Sequence, residues 1–252
     1  MDSLSLLFPQ GEQFFVDSVR HYRNRVQDAQ LRQDVAGFIA QEAMHSKEHL
    51  MFNRVVQDRH LPVADIDAEL KNLLDWVRRV APPRVQLAAT CALEHFTATM
   101  GEMLLTHPDI KARMSDEVRP LWMWHALEET EHKAVAYDVY EHTGGDYVTR
   151  VTTMAVATVI FIGFTARTHV RMLQADGQLS RFRQNIKGIN YLFCRKGVLS
   201  ALTWDYFKYY KPGFHPNQQD TSHLVQTWRD RLFGEQGWLK DQVKALLPRQ
   251  AA

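Results

Sequence analysis

Only two cysteines, Cys91 and Cys194, occur among the 252 residues, which excludes a disulfide framework and fits a reducing compartment. No charge of one sign dominates. Thirty lysines and arginines face 29 acidic residues for a formal net charge of +1, so there is no electrostatic footprint for nucleic acid. The chain also lacks a glycine-rich phosphate loop, a Gly-x-Ser-x-Gly elbow and a Cys-x-x-Cys pair, which removes three common chemistries. Its start, Met1-Asp-Ser-Leu-Ser-Leu-Leu-Phe8, has no basic segment, long apolar stretch or small-residue cleavage site. No signal peptide is read there, and the expected location is cytoplasmic.

Long hydrophobic runs are nearly absent. The exception is Val151 to Ala166, 16 uncharged residues between Arg150 and Arg167. A membrane span needs about 20 predominantly apolar residues, and this run is shorter and contains Thr152, Thr153, Thr158 and Thr165. It is expected to be a helix buried in the protein or at a subunit interface, the latter making the chain a homodimer. Peripheral membrane contact is the alternative, helped by Arg181, Arg183, Lys187, Arg195 and Lys196 further on.

No alternating strand pattern is long enough to build a sheet, so the reading is all-α. Pro9-Gln-Gly11 reads as a turn before a helix from about Glu12 to Ala29. A long helix follows from about Leu31 to Arg59, with Phe38, Ile39, Leu50, Phe52 and Val55 among its apolar residues. His60-Leu-Pro62 breaks it. A shorter helix spans about Asp65 to Val80, and Pro82-Pro83 starts another to about Thr106. Ser115 reads as the N-cap of a helix that ends near Gly144-Gly145. Gly177 closes the apolar helix. Then come the aromatic strip Trp204 to Tyr210, the turn Lys211-Pro-Gly-Phe-His-Pro216 and an amphipathic segment from about Thr221 to Leu247. The expected organisation is a metal-binding helical bundle over 1–175 with a C-terminal helical extension over 176–252.

Chemistry concentrates in His125-Ala-Leu-Glu-Glu-Thr-Glu-His132 and an earlier Glu42-Ala-Met-His45. At about 100° per residue, His125, Glu128, Glu129 and His132 share one stripe of a helix. Two Glu-x-x-His pairs on separate helices, with a lone glutamate on each of two others, are the pattern of a carboxylate-bridged dinuclear metal site in a bundle. Bridging carboxylates screen the repulsion between the two cations, and carboxylate with imidazole suits iron or manganese, with zinc also open. The order here is Glu12, then Glu42 with His45, then Glu94, then Glu129 with His132. His125, one turn before Glu129, adds a third imidazole.

The plainer readings are that Glu12 is a solvated first-turn residue favoured by the helix dipole, and that His95 and Cys91 are structural. Glu128 is expected to support a ligand, Glu131 to be exposed, and His49 to line the core or back the site. A rival motif overlaps: His45-Ser-Lys-Glu48-His49 matches the inverted zinc-protease pattern His-x-x-Glu-His, but it leaves the His125 cluster unexplained.

Phe8-Pro-Gln-Gly-Glu12-Gln-Phe-Phe, Gln41-Glu-Ala-Met-His45, Leu93-Glu-His95, Trp124-His-Ala-Leu-Glu-Glu-Thr-Glu-His-Lys133 and Lys211-Pro-Gly-Phe-His-Pro216 together resemble the bacterial family described as predicted metal-dependent hydrolases. The likeness runs from about Phe8 to the C-terminal helices, and it implies a metal. The ligand order is also similar to that of dinuclear-iron aryl-amine oxygenases of the p-aminobenzoate N-oxygenase type. That similarity implies a ferritin-like core with Glu12, Glu42, His45, Glu94, His125, Glu129 and His132 as ligands. It implies no substrate.

The expected function is therefore an O₂-dependent oxidase or oxygenase with two metal ions, read as iron. The substrate is expected to be small and apolar or amphipathic, enclosed by the Val151 helix and the aromatic strip, although core packing is the simpler role for both. Hydrolysis by a metal-activated water is the principal alternative, and non-enzymatic iron binding is the second.

Overall fold

The computed structural model describes residues 1–58, 60–194 and 197–240, and these contain helices and turns but no strand. In chain order the helices are α1 (Asp2–Ser5), α2 (Phe8–Tyr22), α3 (Ala29–Gln57), α4 (Val63–Val80), α5 (Pro83–Thr106), α6 (Pro108–Ala112) and α7 (Arg119–His132). They continue with α8 (Val135–His142), α9 (Tyr147–Ala175), α10 (Phe182–Phe193), α11 (Val198–Ala201), α12 (Thr203–Lys208) and α13 (Ser222–Phe233). The all-α helical bundle expected from the residue pattern is what the chain forms.

Several boundaries follow from local chemistry. Asp28 caps α3 by accepting from the Leu31 N–H at 2.7 Å, and Asp146 caps α9 by accepting from the Thr149 N–H at 2.8 Å. Pro83 and Pro108 open α5 and α6, where a missing N–H costs nothing. After α8 the chain reverses at Gly144, φ +82°, and at Gly145, where a Cβ would sit 2.2 Å from the Tyr140 ring.

Others differ from expectation. Pro9-Gln-Gly11 is inside α2, because proline is tolerated in a first turn, so Glu12 sits in the second turn and not the first. Val118, not Ser115, flanks the start of α7, and no side chain caps it. The expected single helix from there to Gly144 is two, interrupted at Lys133 and Ala134. At the break the Lys133 ammonium donates to the Gln219 carbonyl at 2.6 Å and the Thr221 hydroxyl at 3.0 Å. The amphipathic C-terminal segment stops as a helix at Phe233; its expected continuation beyond residue 240 lies outside the described residues.

α2 packs along α3, and α5 packs on both α7 and α9. One core cluster joins Phe14, Val19, Phe38, Leu87, Val139, Met154, Tyr209 and Phe214. A second holds Leu105, Trp122, Met123 and Leu127 against Trp228 and Leu232 of α13. The turn at Lys211 to Pro216 is fastened to the bundle. Arg150 donates to the carbonyls of Tyr209 and Lys211, Tyr137 donates to the Phe214 carbonyl, and His215 meets Asp138 at 2.7 Å. Those contacts dock the motif on the bundle.

Two helices keep apolar side chains outward. Leu50 and Val55 of α3 are exposed, because the opposite face of that helix is turned inward. Helix α9 is long and apolar enough to cross a membrane, yet only 22% of its most apolar window is buried. Met154, Ala157, Thr168 and Met172 face the protein, while Val156, Val159 and Ile162 are exposed. Burial within the chain is thus confined to one stripe.

The close approach of α5 to α7 depends on Gly101, whose added Cβ would meet the Ala126 carbonyl oxygen at 2.9 Å and Glu129 Cβ at 3.5 Å. Gly101→Val should destabilise the fold by about 1–3 kcal/mol through overpacking, read as a lowered thermal midpoint. An unchanged midpoint would refute this account of the α5–α7 contact.

Candidate metal centre

Helices α2, α3, α5 and α7 turn ionisable groups toward one another. On α3, Glu42, His45, His49 and Asn53 recur every three or four residues, which makes them one stripe, and all are buried. On α7, His125, Glu129 and His132 do the same. Glu12 from α2 and Glu94 from α5 complete the set, each 1% exposed. The residues singled out in the sequence converge in the bundle interior.

They form two adjoining groups. Donor atoms of Glu42, His45, Glu129 and His132 all lie within 4.8 Å of one another, as do those of Glu12, His49 and His125. Glu129 links the groups, with Oε1 2.8 Å from His125 Nε2 and 3.5 Å from His45 Nδ1. Glu12 Oε1 lies 3.8 Å from the same His125 nitrogen, and His132 Nε2 lies 3.1 Å from Glu42 Oε1. The rings of His45 and His125 stack at 4.2 Å.

Each histidine is held from behind. His45 Nε2 meets Glu128 Oε2 at 3.0 Å, and the other Glu128 oxygen accepts from the Trp124 indole N–H at 2.8 Å. His132 Nδ1 meets Glu94 Oε2 at 3.2 Å. The third arrangement is a directed chain. Asn53 donates its amide N–H to the Ser5 carbonyl, which fixes its orientation, and Ser5 Oγ donates to Asn53 Oδ1 at 2.7 Å. Ser5 Oγ must then accept from His49 Nδ1, 2.8 Å away, so His49 Nε2 carries the lone pair that accepts from His125 Nδ1 at 2.6 Å. His125 Nε2 is thereby left with a lone pair aimed at the Glu129 carboxylate. Two electron pairs 2.8 Å apart repel unless something positive lies between or beside them.

Unpartnered atoms point the same way. Both oxygens of Glu12 and of Glu42, Glu94 Oε1, Glu129 Oε2, His45 Nδ1 and His132 Nε2 are buried with no hydrogen-bond partner. Buried polar groups are nearly always satisfied, and oxygen and imidazole nitrogen are the donors that hard or borderline divalent ions take. The residues fit a metal centre. Glu42, His45, Glu129 and His132 can hold one ion, and Glu12 and His125 a second, with Glu129 placed to serve both. Glu94 orients His132 with one oxygen and keeps the other free.

Without a metal, protons do the neutralising. Burial raises Glu12 to about 8, despite the opposing pull of His45, and raises Glu94 to about 7. Burial and then the Glu129 charge raise Glu42. For His45, burial lowers the pKa, but the bonds to Glu128 and Glu129 outweigh it and lift it to about 10. Burial pushes His49 down to about 2 and His125 to about 4, so both are neutral, as the directed chain requires. Burial favours protonation of Glu129, while its bond to His45 and the His132 charge pull the other way.

His49 is more than a core wall, since both its nitrogens are committed to Ser5 and His125. The spacing of Asn53 to His49 on α3 was the available signal for that network; Ser5, from α1, had none. Glu48 belongs to neither donor group and His45 and His49 fall in different ones, which dismantles the inverted zinc motif. Glu131 is not free in solvent but bonds Arg229 of α13 at 2.6 Å. The aromatic strip does not wall the centre. Tyr209 packs on His95 and Tyr206 on Phe96, and His95 meets the Asp205 carbonyl at 3.0 Å, all of it core packing.

The chain belongs to the family described as predicted metal-dependent hydrolases, whose family model matches residues 1–220. No curated protein and no solved structure matches it.

Two tests follow. Glu129→Ala, which removes the shared carboxylate, should cost at least half of the bound metal as counted by elemental analysis, while Glu48→Ala should leave the count unchanged. A reversed pattern would discard the assignment. The second concerns pH. Glu12, Glu94 and His45 have raised pKa values when folded, so the folded metal-free chain holds more protons than the unfolded one and loses stability as pH rises from about 7 to about 8. The neutral buried histidines act oppositely, but chiefly near and below their ordinary 6.5. Thermal melts in chelator should show that decline, and saturating divalent metal should abolish it by displacing the protons. Chelated protein that gains stability across the interval would contradict the charge assignment.

Proposed function

We propose that the cluster holds two metal ions and that the protein is an enzyme using them, with hydrolysis by a metal-activated water as the reaction class. One observation carries the two-metal reading: two adjoining groups of buried donors, many of them without a hydrogen-bond partner, meet where Glu129 Oε1 lies 2.8 Å from His125 Nε2. The family description favours hydrolysis over other uses of such a pair. Bound there, divalent ions supply Lewis acidity and bring the pKa of water down toward about 7.

The chain's own contributions are orientation and exclusion. Glu128, tied to Trp124, turns His45 so that Nδ1 faces inward; Glu94 does the same for His132 Nε2. The Ser5–His49 chain sets the tautomer of His125. Phe8, with its ring 4.7 Å from both His49 and His125, and Phe38, 5.0 Å from His132, keep water from the donors on those sides. Glu128 is the most accessible carboxylate beside the donors, with its side chain 16% exposed, which places it where a proton could be taken up or released at its Oε atoms.

A second reading is O₂-dependent oxidation with two irons, and a specific observation favours it. The assigned donors are three carboxylates and three imidazoles with no thiolate, and a fourth carboxylate, Glu94, stands beside them, a set suited to iron. They are also almost wholly buried, which admits a diatomic gas more readily than a bulky ester.

Loading purified chain separately with zinc, manganese and ferrous iron separates these. The proposal expects turnover of aryl ester or phosphate-ester substrates with zinc or manganese, lost at least about a hundredfold in Glu129→Ala and retained in Glu48→Ala. If no ester turns over with any metal, and anaerobically loaded iron gives a transient visible band on exposure to O₂, hydrolysis is displaced by oxidation.

A further inference from the structure

Helix α10 has no buried residue along its 12 positions. Phe182, Ile186, Ile189 and Phe193 recur at spacings of four, three and four, so they share a stripe about 60° wide. All four project into solvent, with exposures of 72%, 40%, 56% and 60%. An amphipathic helix ordinarily turns such a stripe inward. Here the contacts with the rest of the protein come from beside and opposite the stripe: Asn185 donates to the Gln178 and Leu179 carbonyls, and the Arg113 guanidinium lies 4.6 Å from the centre of the Tyr191 ring. The apolar face is therefore left outward while its polar neighbours hold the helix in place.

Charge says what covers it. Between Asp176 and Asp205 the sequence has no acidic residue and five basic ones, Arg181, Arg183, Lys187, Arg195 and Lys196. Of these, Arg181, Arg183 and Lys187 are exposed and make no ion pair among the described residues; Arg195 and Lys196 lie outside them. Arg183 and Lys187 follow the stripe by about 100° and 140°, so they flank it. Next in the chain, α11 packs on α10 and α12 on α11, and α12 presents Trp204 and Phe207 to solvent. Exposed phenylalanine and isoleucine on one face with lysine and arginine beside them are the features of a helix that lies in a lipid–water interface.

We infer that α10 seats the protein on an anionic phospholipid surface, its apolar stripe entering the headgroup–acyl boundary and its basic flank meeting lipid phosphates. A second copy is the poorer occupant, since an isologous contact would bring two purely basic patches together. Spanning is excluded for α10 by its 12 residues, against the roughly 20 that a bilayer core requires. The apolar stripe of α9 has no basic flank of this kind, which makes α10 the anchor. This inference is independent of the reaction carried out at the metal centre.

The test is flotation of the metal-loaded full chain with vesicles of phosphatidylcholine alone or with about a third phosphatidylglycerol. Binding to the anionic vesicles should exceed that to the neutral ones by about tenfold or more and weaken as salt is raised. Two double variants probe the two components: Phe182→Glu with Ile189→Glu, and Arg183→Glu with Lys187→Glu. Each should cut binding to anionic vesicles at least about tenfold, with metal content and thermal midpoint unchanged, whereas Arg79→Glu on α4 should leave binding intact. The charge-reversal pair, on an exposed polar flank, decides the matter even if the apolar pair folds poorly. No flotation, equal binding to neutral vesicles, or binding indifferent to charge reversal would overturn the inference. So would a wild-type dimer in sedimentation that the Phe182→Glu, Ile189→Glu variant converts to monomer.

Discussion

Ionisable groups with nothing to bond to, packed at the centre of four helices, are the constraint on which this molecule is organised. Removing an ionised carboxylate from water costs several kcal/mol even after relaxation, unless an opposite charge or hydrogen bonds repay it. Glu12, Glu42, Glu94 and Glu129 are nearly inaccessible, and most of their oxygens have no hydrogen-bond partner. A fold that spends this much on desolvation needs a cation to recover it, or must keep protons where the cation belongs. The raised pKa values of Glu12, Glu42 and Glu94 express that same imbalance.

Orientation comes from outside the cluster. Glu128 behind His45, Glu94 behind His132 and the Ser5–Asn53–His49 relay behind His125 each settle which ring nitrogen faces in. The supports come from different elements, so they tie the bundle together as well. α1 is drawn onto α3 through Ser5, and α5 onto α7 through Glu94 and through the close passage at Gly101. The break between α7 and α8 falls directly after His132, which ends the liganding stripe where the chain must turn to meet the C-terminal segment through Lys133.

The interior chemistry also shapes the exterior. Because α3 commits its inner face to Glu42, His45, His49 and Asn53, its leucine, valine and methionine side chains at 50, 55 and 51 face solvent. The hydrophobic rule assumes that polar residues are the ones left out, and the middle of α3 inverts it. α10 shows the second way in which an apolar stripe stays outward, with the basic residues beside it instead of across from it. In α3 the rule fails because the inward side chains have a task other than filling the core.

Helix content, the approximate extent of most helices and the family were legible in the chain, because 3.6-residue periodicity, proline and glycine punctuation and Glu-x-x-His spacing are local properties. So was the choice of residues that meet in the interior: spacing along a helix determines which side chains share a face. Other features depended on which helix lies against which. The spacing between His45, Glu48 and His49 is the same whether they form a zinc motif or not, and packing alone sends His45 and His49 to different groups and leaves Glu48 in neither. Ser5 became a partner of His49 only because α1 folds back across 44 residues of chain to reach it. Tyr206, Tyr209 and Tyr210 of the aromatic strip pack on core instead of walling a pocket, and α9 is half uncovered, for the same reason. A sequence specifies faces, and contacts between distant faces are decided by tertiary packing, where burial, charge and shape must all be satisfied together.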